Sequence, residues 1–280
     1  MALQMGNIME SVERDLKYTE DILEGNETPW NYGKIYSSAN DSMDYIMPLI
    51  DLDKKDILTV LGSGDQAFNF YENGSTNIEL YDINKLTLYY YYLRVWIIKY
   101  NNSFYPEYSK VNNLNEYLEQ LLSIVKPSET GEEKAYIYWN SLVKRTKKSI
   151  ENNLFYRDYC YPGNEIYDLS NLKTVLSNKP VFYNYDLTKK INNKKQYDIV
   201  FISNIIEWVF DYRWHVETLV DNLSNLVNKD GKIICTKFSL SGASELEKKY
   251  FKKKFDYYPL ADYYSDEIGK WTPGYVYQKK

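Results

Sequence analysis

The sequence predicts an α/β fold with a mostly parallel seven-stranded sheet, helices on both faces and an inserted helical cap. Three observations predict it. Short continuous apolar runs such as ILTVL and DIVFI are typical of strands buried on both faces. Longer runs with helical spacing alternate with them, which requires right-handed crossovers between parallel strands. A glycine turn, GSGD, separates the first buried run from the helix that follows it.

The elements are predicted in the following order. A helix from about residue 7 to 24 and a short helix over MDYIMPLI precede the sheet. The strand ILTVL, the helix QAFNFYENG, the strand NIELYDI and the helix KLTLYYYYLRVWIIKY come next. The sheet resumes with PVFYNYDL and YDIVFISNI, a helix over about residues 212–227, a turn at NKDG and the strand KIICTKFS. The tail segments FDYYPLADYY and GYVYQKK predict a final antiparallel pair.

Composition argues against several classes of protein. A net charge of -5 gives no basic surface for nucleic acid. Two distant cysteines and a single histidine, His215, argue against a disulfide framework and against a zinc site, so no metal is expected. The N-terminus lacks the pattern of a signal peptide, and no apolar run is long enough to span a bilayer. A cytoplasmic location is therefore expected.

The segment from Gly62 to Ala67 fits the pattern G-x-G-x-x-G/A, directly after a predicted strand and at the start of a helix. Glycines at these positions allow a tight turn and a close approach of the backbone to a ligand. Asp82 ends the second strand, where a Rossmann-like fold places the carboxylate that binds ribose hydroxyls. The turn and the strand-end acid together predict a cofactor that contains a nucleoside.

Two cofactors fit this pattern. NAD would place its pyrophosphate at the helix N-terminus, where the carboxylate of Asp65 would repel it. S-adenosylmethionine has no phosphate and carries an ammonium and a sulfonium, so an acidic turn favours it. An Asp65 that only caps its helix is the alternative.

The sequence resembles the class I S-adenosylmethionine-dependent methyltransferase superfamily. More narrowly, it resembles an uncharacterised bacterial group related to the enzymes that transfer the 3-amino-3-carboxypropyl group of S-adenosylmethionine to diacylglycerol. The resemblance rests on IYSSANDSMDYIMPL, LTVLGSGDQAFNFYENG, ELYDINKLTLYYYYLRV and YDIVFISNIIEWV. It implies methyl transfer, with 3-amino-3-carboxypropyl transfer as the close alternative. A NAD-dependent oxidoreductase and a non-catalytic S-adenosylmethionine-binding protein remain as further alternatives.

The resemblance also implies how the cofactor is held, position by position. Gly62, Ser63, Gly64 and Asp65 match the loop around the methionine moiety, although the superfamily often has a third glycine where this chain has Gln66. In the same way, Asp82 matches the acid that binds the ribose.

The adenine is assigned to two further segments by the resemblance. Ile83 and Asn84 follow the ribose-binding acid and lie beside the adenine in the family. Asp186 and Leu187, after VFYNY, match the pair near the adenine amino group.

The acceptor side of the site is predicted from three segments. Ser203 and Asn204 match the fourth-strand loop, where the cofactor faces the acceptor, and Tyr36 belongs to a leader that folds over the cofactor in the family. Glu207 follows the fourth strand and is the predicted catalytic residue, which takes a proton or holds a cationic acceptor. A helix-start acid is its alternative role. The acceptor is expected to be a small molecule or a peptide.

This assignment divides the chain into three predicted parts. Residues 1–50 form an N-terminal helical leader or lid, and residues 51–100 and 180–280 form the Rossmann-like cofactor-binding domain. Residues 101–179 are too long for one crossover and are predicted to form the inserted helical cap. The tyrosine-rich helix that follows Lys85 is either a cover for the sheet or the contact of a homodimer.

Overall fold

The computed structural model describes most of the chain: residues 2–26, 35–36, 43–101, 114–125, 133–146, 150, 154–156, 172, 179–203, 205–206, 215–236, 249–259 and 275–280. The helices of these ranges are α1 (Ala2–Leu23), α2 (Met43–Ile46), α3 (Asp65–Glu72), α4 (Leu86–Asn101), α5 (Leu114–Ile124), α6 (Glu133–Arg145) and α7 (Val216–Leu226). The strands are β1 (Ile35–Tyr36), β2 (Asp56–Val60), β3 (Asn77–Asp82), β4 (Phe155–Tyr156), β5 (Val181–Asn184), β6 (Tyr197–Ser203), β7 (Val227–Cys235), β8 (Phe255–Pro259) and β9 (Tyr275–Lys279).

The main sheet has seven strands in the order β5-β3-β2-β6-β7-β9-β8. The strands from β5 to β7 in this order pair in parallel, whereas β9 runs antiparallel to both β7 and β8. The predicted fold class, α/β and Rossmann-like with a mostly parallel seven-stranded sheet, is therefore confirmed, as is the antiparallel pair in the tail. The order departs from the 3-2-1-4-5-6 sheet of dinucleotide-binding proteins, because β9 enters between β7 and β8.

The chain divides into two compact units. The first, the helical unit, comprises residues 1–40, 61–68 and 84–179, and the second, the sheet unit, comprises residues 41–60, 69–83 and 180–280. In the helical unit, α6 packs against α1, α4 and α5, and β1 pairs in parallel with β4. The predicted boundaries of leader, cofactor-binding domain and cap stay a prediction.

In the sheet unit, α7 packs on one face of the sheet through apolar residues at helical spacing. Val216, Leu219, Val220 and Leu223 form this inward stripe, and all four side chains are buried in one cluster with residues of β6 and β7. Burial of each such side chain stabilises the fold by about 1.5–3 kcal/mol. His215, at the start of α7, is exposed.

Helix α4 is buried on every side rather than on one face. The side chains of Leu86 and Thr87 and of every residue from Tyr89 to Ile98 are buried. Apolar or aromatic residues all round a helix are typical of a helix enclosed by protein. Nothing among the described helices combines the length and the apolar character that crossing a membrane requires.

Strand β7 begins earlier than predicted. The sequence NKDG lies inside β7, not in a turn before it, and the register with β6 shifts between Tyr197 and Ile199. Asp230 has a φ of +65°, a left-handed conformation that Asp tolerates better than most residues. The turn residues therefore form an irregularity in the strand.

The carboxylate of Glu79 on β3 accepts hydrogen bonds from three side chains of β5, of β6 and of the segment between them. It accepts hydrogen bonds from the hydroxyls of Tyr183 and Tyr197 and from the ammonium of Lys195, the last at 2.7 Å. Burial acting alone raises the pKa of this carboxyl, but the three donors hold the pKa below its usual value. The network ties β5 and the start of β6 to β3.

We expect acid to weaken the sheet unit through Glu79. Since the pKa of Glu79 is lower in the folded chain than its ordinary value of 4.5, the unfolded chain binds the proton more readily. The contribution of Glu79 to stability is therefore full above about pH 4.5 and is lost as the pH falls through the folded pKa. Urea unfolding between neutral pH and about pH 3.5 should show a shallower pH dependence for Glu79→Gln than for the wild type.

A second variant checks the origin of this effect. Tyr183→Phe removes one of the three donors and should flatten the pH dependence only in part. A wild-type pH dependence in Glu79→Gln would contradict the assignment.

Candidate functional site

The glycine turn joins β2 to α3 and needs both of its glycines. Gly62 and Gly64 have φ values of +51° and +95°, which side chains rarely allow. The N–H of Gly64 donates to the carbonyl of Leu61 at 2.6 Å, which closes the turn. A Cβ atom on Gly64 would lie 3.3 Å from ring atoms of both Phe68 and Tyr91. The turn is thus fixed by backbone conformation and by packing together.

Asp65 is fully buried, and its carboxylate is engaged by two neighbours. Its Oδ1 accepts a hydrogen bond from Nη2 of Arg94 at 2.7 Å, and its Oδ2 accepts one from the hydroxyl of Ser63 at 2.6 Å. The expectation that Asp65 gives the turn a net negative charge is therefore wrong, because the guanidinium neutralises the carboxylate. The charge of Asp65 therefore gives no reason to prefer a cationic cofactor over NAD.

Arg94 also contacts the turn, although the sequence did not predict a role for it there. Its Nη1 donates to the carbonyl of Ser63 at 2.8 Å, so that the guanidinium contacts the turn at two oxygens. The sequence did contain a signal: a lone arginine in a long apolar and aromatic run must find an acid if the run is buried. The distant turn supplies that acid.

Asp82 lies at the end of β3, as predicted, and is buried, with 7% of its surface exposed. It pairs with Asn184 at the end of β5. The side-chain amide of Asn184 donates to the carbonyls of Asp82 and Ile83, at 2.9 and 2.8 Å. Asn184 was also missed from the sequence, although a strand-end Asn in the neighbouring parallel strand is a visible signal. It fixes the backbone beside the strand-end acid.

The residues after Asp82 lead into α4, which begins at Leu86. Oδ1 of Asn84 accepts a hydrogen bond from the N–H of Leu86 at 3.0 Å, and its carbonyl accepts one from the N–H of Thr87. This is the geometry of an N-cap, so the side chain of Asn84 has a structural role that the resemblance did not predict. Ile83 is half-buried. The predicted role of both residues beside an adenine is not tested by these contacts.

Asp186 forms a local turn after β5. Its Oδ1 accepts hydrogen bonds from the N–H and the hydroxyl of Thr188, and its Oδ2 lies 3.1 Å from the ammonium of Lys189. Burial acting alone raises the pKa of this carboxyl, but these donors hold the pKa below its usual value. Leu187 is buried in the core, and its carbonyl accepts a hydrogen bond from the side-chain amide of Asn222. The predicted role of Asp186 and Leu187 near the adenine amino group stays a prediction.

Ser203 ends β6 in a strained conformation. Its φ is +50°, and its carbonyl accepts a hydrogen bond from the N–H of Thr236 at 3.0 Å. A non-glycine residue in this region costs about 1–3 kcal/mol and is found preferentially at functional sites. The strain supports the prediction that Ser203 belongs to the site.

The remaining predicted residues have less structural information. Asn204 and the predicted catalytic Glu207 lie outside the described residues. Tyr36 lies in β1, and only its backbone is described.

Three of the polar residues of the sheet unit share one edge of the sheet. Asp82, Asn184 and Ser203 end the parallel strands β3, β5 and β6, so all three lie at the carboxyl edge. Ligands of open α/β sheets bind outside this edge. Within the described part of the chain, no group of three or more His, Cys, Asp and Glu side chains is placed to hold a metal ion. Carboxylate, amide and hydroxyl side chains of this kind can donate and accept hydrogen bonds.

Comparison with solved structures gives similarities of fold to methyltransferases. The glycopeptide N-methyltransferase MtfA, solved with S-adenosyl-L-homocysteine, is 9% identical, with 92% of this chain and 96% of that chain covered and a TM-score of 0.44. The ribosomal protein L11 methylase from Lactobacillus delbrueckii subsp. bulgaricus is 12% identical, with 85% and 76% covered and a TM-score of 0.41. The magnesium protoporphyrin IX methyltransferase ChlM from Synechocystis PCC 6803, solved with bound S-adenosylmethionine, is 9% identical, with 86% and 79% covered and a TM-score of 0.39. No protein-family model matches the sequence, and no curated protein matches it.

Proposed function

We propose that this protein is an S-adenosylmethionine-dependent transferase and that it transfers the methyl group to a small molecule or a peptide. The observation that carries the proposal is the placement of Asp82 at the carboxyl edge of a sheet that departs from the dinucleotide-binding order. A carboxylate at this position accepts a hydrogen bond from the ribose 2′-hydroxyl of a nucleoside. The departure at β9 argues against the sheet of NAD-binding proteins, and the sequence resemblance supports S-adenosylmethionine.

The residues of this edge are suited to the nucleoside part of such a cofactor. Asn184 donates hydrogen bonds to the backbone carbonyls of Asp82 and Ile83, so the backbone that carries the acid is held in place before the ligand arrives. An interaction that needs no rearrangement on binding loses less free energy to ordering. The predicted roles of Gly62, Ser63, Gly64 and Asp65 at the methionine moiety are part of the same proposal.

The chemistry that this cofactor supplies is a displacement at a sulfonium carbon. The acceptor forms a bond to the methyl carbon, the carbon–sulfur bond breaks, and the electron pair stays on sulfur, which gives neutral S-adenosylhomocysteine. A proton leaves the acceptor where the acceptor carries one, and Glu207 is the proposed base for it. Alignment of acceptor and methyl group supplies most of the rate in such a step.

The test is calorimetric titration with S-adenosylmethionine and, in parallel, with NADH. We expect the wild type to bind S-adenosylmethionine and Asp82→Ala to bind it about 10- to 100-fold more weakly, because charge-assisted hydrogen bonds to the ribose are lost. Asp82→Asn should lie between the two. Asp256→Ala is the matched control, since Asp256 is an exposed strand residue of the same unit.

Two results would contradict the proposal. Tighter binding of NADH than of S-adenosylmethionine would establish a nicotinamide cofactor. An unchanged affinity for S-adenosylmethionine in Asp82→Ala would show that the cofactor does not bind at this edge of the sheet. Product analysis separates the two transfers, because methyl transfer leaves S-adenosylhomocysteine and 3-amino-3-carboxypropyl transfer leaves methylthioadenosine. Binding without turnover on any acceptor pool would favour a non-catalytic binding protein.

A further inference from the structure

The guanidinium of Arg94 donates hydrogen bonds to two residues of the glycine turn, which are also hydrogen-bonded to each other. It donates to the carbonyl of Ser63 at 2.8 Å and to the carboxylate of Asp65 at 2.7 Å, and the hydroxyl of Ser63 donates to the same carboxylate. One side chain from α4 thus holds two oxygens of a turn that lies about thirty positions earlier in the chain. All three residues are almost completely buried.

The position of this guanidinium is itself fixed by its surroundings. Its Cζ atom lies over the ring of Phe68, 5.0 Å from the centroid, and over the ring of Tyr90, at 5.9 Å. Aromatic faces attract a guanidinium, and its planar fork matches two acceptors in a fixed geometry. A lysine ammonium is a point charge, so it does not reproduce a fork on two oxygens.

The turn benefits from such support because its two glycines are conformationally permissive. Gly62 and Gly64 adopt their positive φ values without steric strain, but glycine loses more conformational freedom on folding than any other residue, so contacts from the surrounding structure are needed to fix the turn in one shape. The bonds of Arg94 reach Ser63 and Asp65, the residues on either side of Gly64. They therefore restrict the segment in which the amide of Gly64 is turned toward the carbonyl of Leu61.

We propose that Arg94 is a positioning residue that holds the glycine turn in its cofactor-binding shape, acting through Ser63 and Asp65 without touching the cofactor. This inference rests on the proposed function, since it assigns a support to that same site. The charge of Asp65 alone indicated that its carboxylate attracts a cationic cofactor. In this proposal the carboxylate binds Arg94 instead, and the fixed turn binds the cofactor. Arg94 thereby determines affinity for S-adenosylmethionine from the interior of the helical unit.

The test compares Arg94→Lys with the wild type in two measurements. Hydrogen exchange of the Gly64 amide, measured without cofactor, should become about tenfold faster or more, because its neighbours lose a charge-assisted fork. Exchange of the Thr87 amide at the start of α4 should not change, since its bond to Asn84 is independent of Arg94. Calorimetry well below the unfolding temperature should show a dissociation constant for S-adenosylmethionine raised about tenfold or more.

Arg145→Lys is the matched control. Arg145 also forms a fork on a carboxylate, that of Glu13, at 2.6 and 2.7 Å, but the pair is exposed. This variant should keep wild-type exchange at Gly64 and wild-type affinity. If Arg94→Lys fails to fold, the charge-neutral double variant Asp65→Asn, Arg94→Gln takes its place with the same two readouts.

The outcomes distinguish this inference from the proposed function. Wild-type exchange at Gly64 together with wild-type affinity in a folded Arg94→Lys overturns the role of Arg94 and leaves the proposed function intact. A lower unfolding temperature with unchanged affinity also overturns it, because a purely structural residue behaves in that way. Faster exchange at Gly64 in a protein whose wild type binds no S-adenosylmethionine supports the hold on the turn and overturns the proposed function.

Discussion

Replacing Asp65 with alanine is expected to lower the free energy of unfolding by about 3–5 kcal/mol. The carboxylate of Asp65 and the guanidinium of Arg94 are 0% and 1% exposed, so the variant leaves a buried cation without its acid. Water does not reach the site to replace the lost partner, and the hydroxyl of Ser63 loses its acceptor as well. Chemical unfolding followed by tryptophan fluorescence measures the change, since Trp96 and Trp139 belong to the same unit as the pair.

The double variant Asp65→Leu, Arg94→Met provides the reciprocal test. Replacing both members of a buried ion pair by apolar side chains is often neutral or stabilising, so the double variant should regain most of the stability that Asp65→Ala loses. The carbonyl of Ser63 still loses its donor, which keeps the recovery incomplete. Glu13→Ala, which breaks the exposed pair with Arg145, should change stability little. An Asp65→Ala variant as stable as Glu13→Ala would show that the buried pair does not hold the fold.

The sequence alone predicted those parts of the molecule that depend on local pattern. Short apolar runs and the helices between them indicated the parallel strands, and each predicted strand appears in the sheet. Asp82 was found because it ends a strand, and the ends of parallel strands share one edge. The irregularity at Asp230 was read as a turn, because Asn, Asp and Gly mark a turn and a strand irregularity by the same residue types.

The parts that were missed depend on distances that a sequence does not contain. Asp65 appears as an acid at a helix start, and only the fold reveals that Arg94 reaches it. The side chain of Asn84 accepts a hydrogen bond at the start of α4, a role that local sequence also allowed but that the resemblance did not predict. Asn184 acts on carbonyls about a hundred residues away, so its role became visible only with the pairing of β3 and β5. Long-range polar contacts therefore form the part of the site that pattern analysis does not reach.

Gly64→Ala should destabilise the fold in two ways, by backbone strain and by crowding of the neighbouring rings. Gly74→Ala allows the two effects to be distinguished, because it introduces only the strain. Both glycines have strongly positive φ values, +95° at Gly64 and +89° at Gly74, so a side chain costs about 1–2 kcal/mol of backbone strain at either position. A Cβ atom at Gly74 would meet nothing within 4 Å, whereas one at Gly64 would lie 3.3 Å from the rings of Phe68 and Tyr91. These rings are stacked on each other with centroids 5.2 Å apart and are buried, so they have little room to move.

The crowding should add about 1–3 kcal/mol to the strain, which makes Gly64→Ala less stable than Gly74→Ala by that amount. Binding should separate the two variants further, because only Gly64 belongs to the turn proposed to contact S-adenosylmethionine. We expect Gly74→Ala to keep wild-type affinity and Gly64→Ala to bind at least about tenfold more weakly, since rings that yield to the new methyl group displace the turn. Equal stability of the two variants would contradict the packing at Gly64. Equal affinity, with the expected difference in stability, would mean that the turn is a structural corner of the fold and that the cofactor is held elsewhere.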